Sequence, residues 1–237
     1  MAIGTAYSAG TSISTTAGVQ SITLNSDAIT DIVAACGSGK VTICLMGYHY
    51  DYNGVSPTTS SGYHRTQVAY AEHSTASYRP KINITHDSGT FSVTAESTGN
   101  DDDSAIGKFQ FGDTDWDNIR GDETTSGNSF GDSFSVNFTG IYNAKLSARG
   151  TIIVDCRRSY FVFDLSSISA PTSGVTGTFT CWMDYTGQFG GAYHADIKKA
   201  ILVKATTLEG STADFGNCFV ADAVTTTYDA NFFGANF

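Results

Sequence analysis

From Arg157 to Ile168 the chain alternates, with Phe161, Phe163 and Leu165 set against Tyr160, Val162 and Asp164. A strand here places three large apolar side chains on one face. Tyr160 and Val162 are bulky as well, so both faces are expected to be buried, as in the central strand of a packed β-sandwich. Asp164-Leu165-Ser166-Ser167 then supplies the turn that ends it. The same period-two pattern predicts strands over 20–24, 41–52, 65–71, 81–85, 90–96, 134–138, 151–165, 176–185, 197–205 and 217–221. Within 41–52, Val41, Ile43 and Leu45 oppose Cys44, Met46, Tyr48 and Tyr50; within 176–185, Phe179, Cys181, Met183 and Tyr185 oppose Trp182. One short helix is expected, with Asn25-Ser26-Asp27 offering its cap. Ala28, Ile29, Ile32, Val33 and Cys36 form its apolar face, and Gly37-Ser38-Gly39 stops it.

The pattern divides the chain into five stretches. Residues 1–17, rich in Ser, Thr, Gly and Ala, read as an extended arm or edge strand. Strand-forming blocks at 18–96 and 134–222 are separated by an acidic Gly/Asp-rich linker at 97–133, ordered in part around Phe109, Phe111 and Trp116. The tail, 223–237, carries Phe232, Phe233 and Phe237 among small residues, and these three are the candidate subunit contacts.

Composition reinforces the β reading. Of the 23 acidic residues 19 are Asp, a residue of turns and strand ends, and only four are Glu. A net charge of −10 argues against a nucleic-acid surface or an anionic membrane surface. No apolar run approaches the roughly 18 residues that span a bilayer, and with neither a basic nor an apolar region at Met1 to Thr5 no signal peptide is expected. Cys36, Cys44, Cys156, Cys181 and Cys218 are odd in number and irregular in spacing, so reduced thiols in a protein assembled inside a cell are the expectation.

Two blocks together carry a family resemblance. Arg158-Ser159-Tyr160-Phe161-Val162-Phe163-Asp164-Leu165-Ser166-Ser167-Ile168 resembles the centre of the DNRLRE-type jelly-roll modules of bacterial surface proteins and, in related versions, phage structural proteins. Upstream, Asn118-Ile119-Arg120-Gly121 looks like the opening of the phage-type module. Leu24-Asn25, the helix, the strand from Val41 and Tyr78-Arg79-Pro80-Lys81-Ile82-Asn83-Ile84-Thr85 look like its second half. The order is reversed relative to the family. The resemblance therefore implies an all-β, jelly-roll-like sandwich with one short helix, either circularly permuted or swapped between subunits. It implies architecture and display rather than chemistry.

Candidate sites are few. Asp113, Asp115 and Asp117 begin like an EF-hand loop and are candidate calcium ligands, yet Asn118 stands where that loop needs Gly and Thr124 where it needs Glu. A solvated acidic loop is the ordinary account. Tyr48, Tyr50 and Tyr52 alternate and could form a glycan-stacking platform, against the ordinary account of strand packing. His49 and Asp51, with His64, Glu72 and His73 nearby in sequence, would make a metal or acid/base site only by converging. No nucleophile elbow or phosphate loop is present, and the expectation is a protein that is not an enzyme and needs no cofactor beyond a structural calcium.

The expected function is a structural protein of a phage particle, a head-decoration or fibre-like accessory subunit located in the virion. It would be homo-oligomeric, contact other virion proteins and have no nucleic-acid or membrane partner. The alternative is a carbohydrate-binding or adhesion module, calcium-assisted, whose partners are host surface glycans.

Overall fold

The computed structural model describes residues 3–14, 16–57, 64–96, 104–112, 115–120, 129–130, 138–148, 150–184, 199–205 and Cys218. In chain order the strands are β1 (Thr11–Ser12), β2 (Gly18–Thr23), β3 (Lys40–Gly47), β4 (His64–Ala69), β5 (Lys81–His86) and β6 (Gly89–Thr94). They continue as β7 (Ser104–Phe111), β8 (Ser129–Phe130), β9 (Phe138–Ala148), β10 (Thr151–Asp164), β11 (Thr176–Asp184) and β12 (Lys199–Ala205). Helix α1 (Ser26–Ala35) follows β2, and a single-turn helix α2 (Trp116–Arg120) follows β7. The fold is an all-β sandwich of antiparallel sheets, as the alternation predicts.

Two strands hold it together by pairing with different partners along one edge. The first half of β10 pairs with β9, from Thr151↔Ala148 to Arg157↔Tyr142, and the second half with β3, from Ser159↔Leu45 to Asp164↔Lys40. Its opposite edge carries β7. β11 forks likewise, with β5 on Thr176 to Thr180, β4 on Met183 and Asp184, and β2 along the other edge. β12 and then β1 extend the layer of β3, while β6 ends the layer of β5. The layers meet at Phe179, whose ring centroid lies 5.5 Å from that of Phe161 and 6.3 Å from that of Phe163. Ile22, Ile43, Leu45, Ile82 and Ile84 complete this core, each at most 1% exposed.

Helix α1 closes the sandwich beside β3. Asn25 caps it by accepting from the Ala28 amide at 3.0 Å, and Ala28 and Ile32 are its buried face. Gly177 in β11 makes room for it, because a Cβ there would stand 2.6 Å from Ile84 Cδ1 and 3.0 Å from Ile29 Cδ1. The N-terminal arm runs along β12. Tyr7 N donates to Leu202 O and Lys204 N to Thr5 O, and Ala6 bridges Val203. At its base Asp31 Oδ2 accepts from Tyr7 Oη at 2.5 Å and Lys204 Nζ at 2.8 Å, tying arm, helix and β12 together.

The structure departs from the sequence expectations in three places. The strand expected over 41–52 ends at Gly47, and Tyr48–Tyr52 coil into one turn of π-helix closed by Asn53 N donating to Tyr48 O at 3.1 Å. The stretch expected to be a linker contributes β7, α2 and β8, with Ile106, Trp116 and Ile119 at most 2% exposed. Its pattern is masked by Gly107, Lys108 and Gln110, which suit a strand with little of its own to bury. β9 was likewise not expected, since Thr139, Gly140, Asn143 and Lys145 interrupt its apolar positions. Strands from 18–96 and 134–222 interleave, β3 with β10 and β12, and β2 and β5 with β11, so the two blocks pair within one chain.

Candidate functional site

β10 is buried on both faces: Tyr160, Phe161 and Phe163 are wholly covered and Val162 is 2% exposed. Phe161 and Phe163 point into the sandwich. Tyr160, Arg158 and Cys156 lie on the other face and are equally buried, Arg158 against the π-turn and the end of α2. A charged residue in that position needs a partner, because stripping water from a guanidinium costs several kcal/mol, roughly, unless a counter-charge and hydrogen bonds replace it.

The π-turn supplies that partner. By widening the coil it swings Asp51 inward, where Oδ2 accepts from Arg158 Nε at 2.8 Å and Oδ1 from Arg158 Nη2 at 2.7 Å. Both side chains are 0% exposed, and the bidentate fork is the strongest geometry for such a pair. Burial works against the charge on Arg158; the Asp51 carboxylate outweighs it and keeps the guanidinium protonated. Arg158 Nη2 also donates to Arg120 O at 2.7 Å, at the end of α2. Arg120 answers from the other side, its Nε donating to Asp51 O at 2.8 Å and its Nη2 to Tyr52 O at 3.4 Å. Trp116 Nε1 donates to Tyr50 O at 3.1 Å. Gly54, at φ +71°, has to be glycine, since a Cβ would lie 3.1 Å from the centre of the Arg120 guanidinium. Residues far apart in sequence are thus closed into one dry clamp.

Next to the clamp on the same face lies a thiol and phenol cluster of Cys44, Cys218 and Tyr160, each 0% exposed. Cys44 stands opposite Tyr160 in the register of β3 on β10, and Cys218 lies near enough to bear on the ionisation of both. Burial raises the Cys44 thiol and the Tyr160 phenol well above their ordinary ranges. Burial acts on Cys218 in the same direction, but Cys44 and the Arg158 charge overcome it and hold this thiol below its usual range.

The outer face of the β2-β11-β5-β6 layer is the other organised polar surface. Register puts Ser21, Thr180, Lys81 and Thr94 in one row, Thr23, Thr178, Asn83 and Ser92 in a second, and Thr176, Thr85 and Thr90 in a third. Asn83 Nδ2 donates to Thr180 Oγ1 at 3.0 Å and Ser92 Oγ to Asn83 Oδ1 at 2.7 Å. At one end Tyr78 and Trp182, both half-buried, stack with centroids 5.5 Å apart.

No family model, curated protein or solved structure matches this chain.

The residues singled out from sequence do not come together as one site. Tyr50 is buried at 5% exposure, while Tyr48 and Tyr52 stack on each other at 5.9 Å, so the three present no common platform. The π-turn is the reason, since it replaces the alternation of a strand. His49 is exposed and Asp51 buried, and they do not share a face. His73 is buried with Nδ1 accepting from the Thr75 amide, while Glu72 is exposed. Of the calcium candidates Asp113 lies outside the described residues; Asp115 accepts from the Asp117 amide, and Asp117 lies 3.5 Å from Arg120 Nη1. Among the described residues no three His, Cys, Asp or Glu side chains converge to hold a metal ion. Phe232, Phe233 and Phe237 lie outside the described residues. The clamp itself was not anticipated. Its one signal is an arginine at an inward position of the most apolar strand, which demands a buried carboxylate without naming which.

Proposed function

We propose that this chain is a non-enzymatic structural subunit of a phage particle, a head-decoration or fibre-like accessory protein. The observation that carries this reading is the Arg158–Asp51 pair, fully buried at 2.7 and 2.8 Å, with Arg120 closing it from α2. Such a clamp does no chemistry on a ligand. It locks the π-turn, α2 and the central strand into one unit, as a rigid building subunit requires. The DNRLRE-like sequence of β10 adds the same architectural expectation. Closure of the two blocks within one chain favours a permuted module over a swapped one. Partners would be other copies and other virion proteins, met through the arm, the edge strands or the Phe-rich tail. Quantitative mass spectrometry of density-purified particles tests the reading: a fixed ratio to the major capsid protein is expected, and absence from particles overturns it.

A second reading, a neutral-glycan-binding module, is favoured by the outer face. Its three rows carry hydroxyl and amide side chains with a single charge, Lys81, and hold no carboxylate in a chain with 23, and Tyr78 and Trp182 stand at their end. Neutral hydrogen-bonding groups beside aromatic rings suit sugar hydroxyls and ring faces. A glycan array should then show binding that Trp182→Ala abolishes and Tyr48→Ala leaves intact; no binding on the array sets this reading aside.

A further inference from the structure

We propose that β6 is the edge by which two copies of this chain join, its open side pairing antiparallel with β6 of a second copy about a twofold axis through Ser92. The inference deepens the reading that copies meet through edge strands, and rests on it for the nature of the partner.

Among the described strands β6 pairs with β5 alone and ends its layer. Other edges are covered or short. The N-terminal arm lies along β12, β1 and β8 are two residues each, and the Ser14 amide of the arm donates to Gln20 Oε1 of β2 at 3.2 Å. Open edges in natural sheets usually carry a lysine, a proline or a bulge against stray pairing. Gly89-Thr90-Phe91-Ser92-Val93-Thr94 has neither a charge nor a proline, and its register on β5 runs unbroken from His86↔Gly89 to Lys81↔Thr94. In a chain of net charge −10, such a neutral edge is a place where two copies can approach with little repulsion.

The direction of the backbone groups follows from the bonds at the end of the strand. Ala95 N donates to Pro80 O at 2.9 Å, toward β5, whereas Glu96 N donates to Val162 O at 2.8 Å, away from it. Successive residues of a strand alternate in this respect, so Gly89, Phe91 and Val93 bond to β5 while the N–H and C=O of Thr90, Ser92 and Thr94 face outward. A second β6 centred on Ser92 sets Ser92 opposite the partner's Ser92 and Thr90 opposite the partner's Thr94, and each exchanges both backbone bonds with the residue it meets. The side chains agree with this register. Hydroxyls meet hydroxyls on the outer face, and on the inner one Phe91 meets the partner's Val93, an aromatic against a β-branched side chain. Phe91 and Val93 are only half-buried at the rim of the core, so the partner covers what β5 leaves open. The turn at Asp87-Ser88 and the crossing of Glu96 to β10 limit the paired length to roughly 20 Å. Such a contact is small, so it is weak between free copies and gains strength where many copies are held on one surface.

Sedimentation velocity of the full chain over a dilution series should show a monomer of 25.1 kDa giving way to a dimer as concentration rises. Amide exchange followed by NMR over the same series should slow at Thr90, Ser92 and Thr94, while Phe91 and Val93, already bonded to β5, stay protected at every concentration. Ser92→Lys and Ser92→Glu each put like charges face to face across the axis and should weaken dimerisation at least about tenfold; mixing the two variants should restore it as a heterodimer. Thr23→Lys, on β2 at the opposite edge of the same layer, should leave dimerisation unchanged. If a Ser92 variant does not fold, the wild-type exchange pattern decides. A chain that stays monomeric at every concentration overturns the contact and leaves the particle reading to be decided by its own stoichiometry. A dimer indifferent to both Ser92 variants, or a ladder of ever larger species as β6 pairing with β2 would give, overturns it as well.

Discussion

The outer face of β11 and the inward-facing clamp of β10 are both polar, and they are built on opposite principles. On β11 Thr176, Thr178 and Thr180 are short, neutral and at least partly exposed, and they obey the strand alternation. On β10 Arg158 lies on the face opposite Phe161 and Phe163, yet is 0% exposed and held by a matched carboxylate. The first arrangement tolerates exchange, since water can replace any partner it loses. The second does not, because Asp51 and Arg158 are wholly buried, so a partner that is lost is not replaced by bulk water. The cluster of Tyr7, Asp31 and Lys204 lies between these limits, charged but with Lys204 52% and Asp31 32% exposed at the side chain.

The largest expected effect follows from unpairing the clamp. Arg158→Met leaves Asp51 buried without its counter-charge and should destabilise the fold by about 3–5 kcal/mol in urea unfolding. Adding Asp51→Leu should restore much of that loss; a double variant no better than the single would break the contrast, since the pair would then matter for packing alone. Gly54→Ala comes next, at roughly 2 kcal/mol, because it combines a left-handed backbone with a crowded Arg120. An effect under about 0.5 kcal/mol would mean that Arg120 can move aside without consequence.

Acid titration addresses the intermediate cluster. Burial opposes ionisation of Asp31, but hydrogen bonds from Lys204 and Tyr7, with the Lys204 charge, outweigh it and hold the carboxyl below its ordinary range. A depressed carboxyl contributes stability above the unfolded value, near about pH 4, and loses it as pH falls through the folded one. With both partners partly exposed, the contribution should be under about 1 kcal/mol, and Asp31→Asn should flatten that part of the pH profile. Tyr7 shifts the other way, raised by burial and then by Asp31, so stability should also decline once the solution is alkaline enough to ionise tyrosine in the unfolded chain. The smallest effect belongs to the outer face, where Thr178→Val should stay within about 0.5 kcal/mol. A larger loss there would show that the hydroxyl rows act structurally and would erase the distinction between the two regions.

Much of the sandwich was legible because its central strands repeat with period two and carry little ambiguity. Spacing alone puts Phe161 and Phe163 on one face of their strand and Phe179 on one face of its own, and the order of polar and apolar residues marks the Asn25 cap. The strands that escaped notice, β7 and β9, borrow their burial from β10, so their own sequences look polar. The clamp escaped for a different reason. Asp51 reads as one more loop aspartate among 19, and only the π-turn, a backbone feature without a reliable sequence mark, turns it inward. Local pattern reports which face a residue occupies; it does not report which distant residue will share that face.

The clamp also sets an order of events during synthesis. Asp51 emerges early, while Arg120 and Arg158 follow much later, and β3 finds both of its strand neighbours, β10 and β12, in the second half of the chain. Until then the apolar β3 has no hydrogen-bonding neighbour, and its long-range pairings are of the kind that form slowly. A growing chain therefore cannot settle its central layer until β10 has emerged. Interruption after the first hundred or so residues would release a strand edge open to other chains, and the burden of keeping the nascent protein soluble falls on whatever shields that edge until β10 arrives.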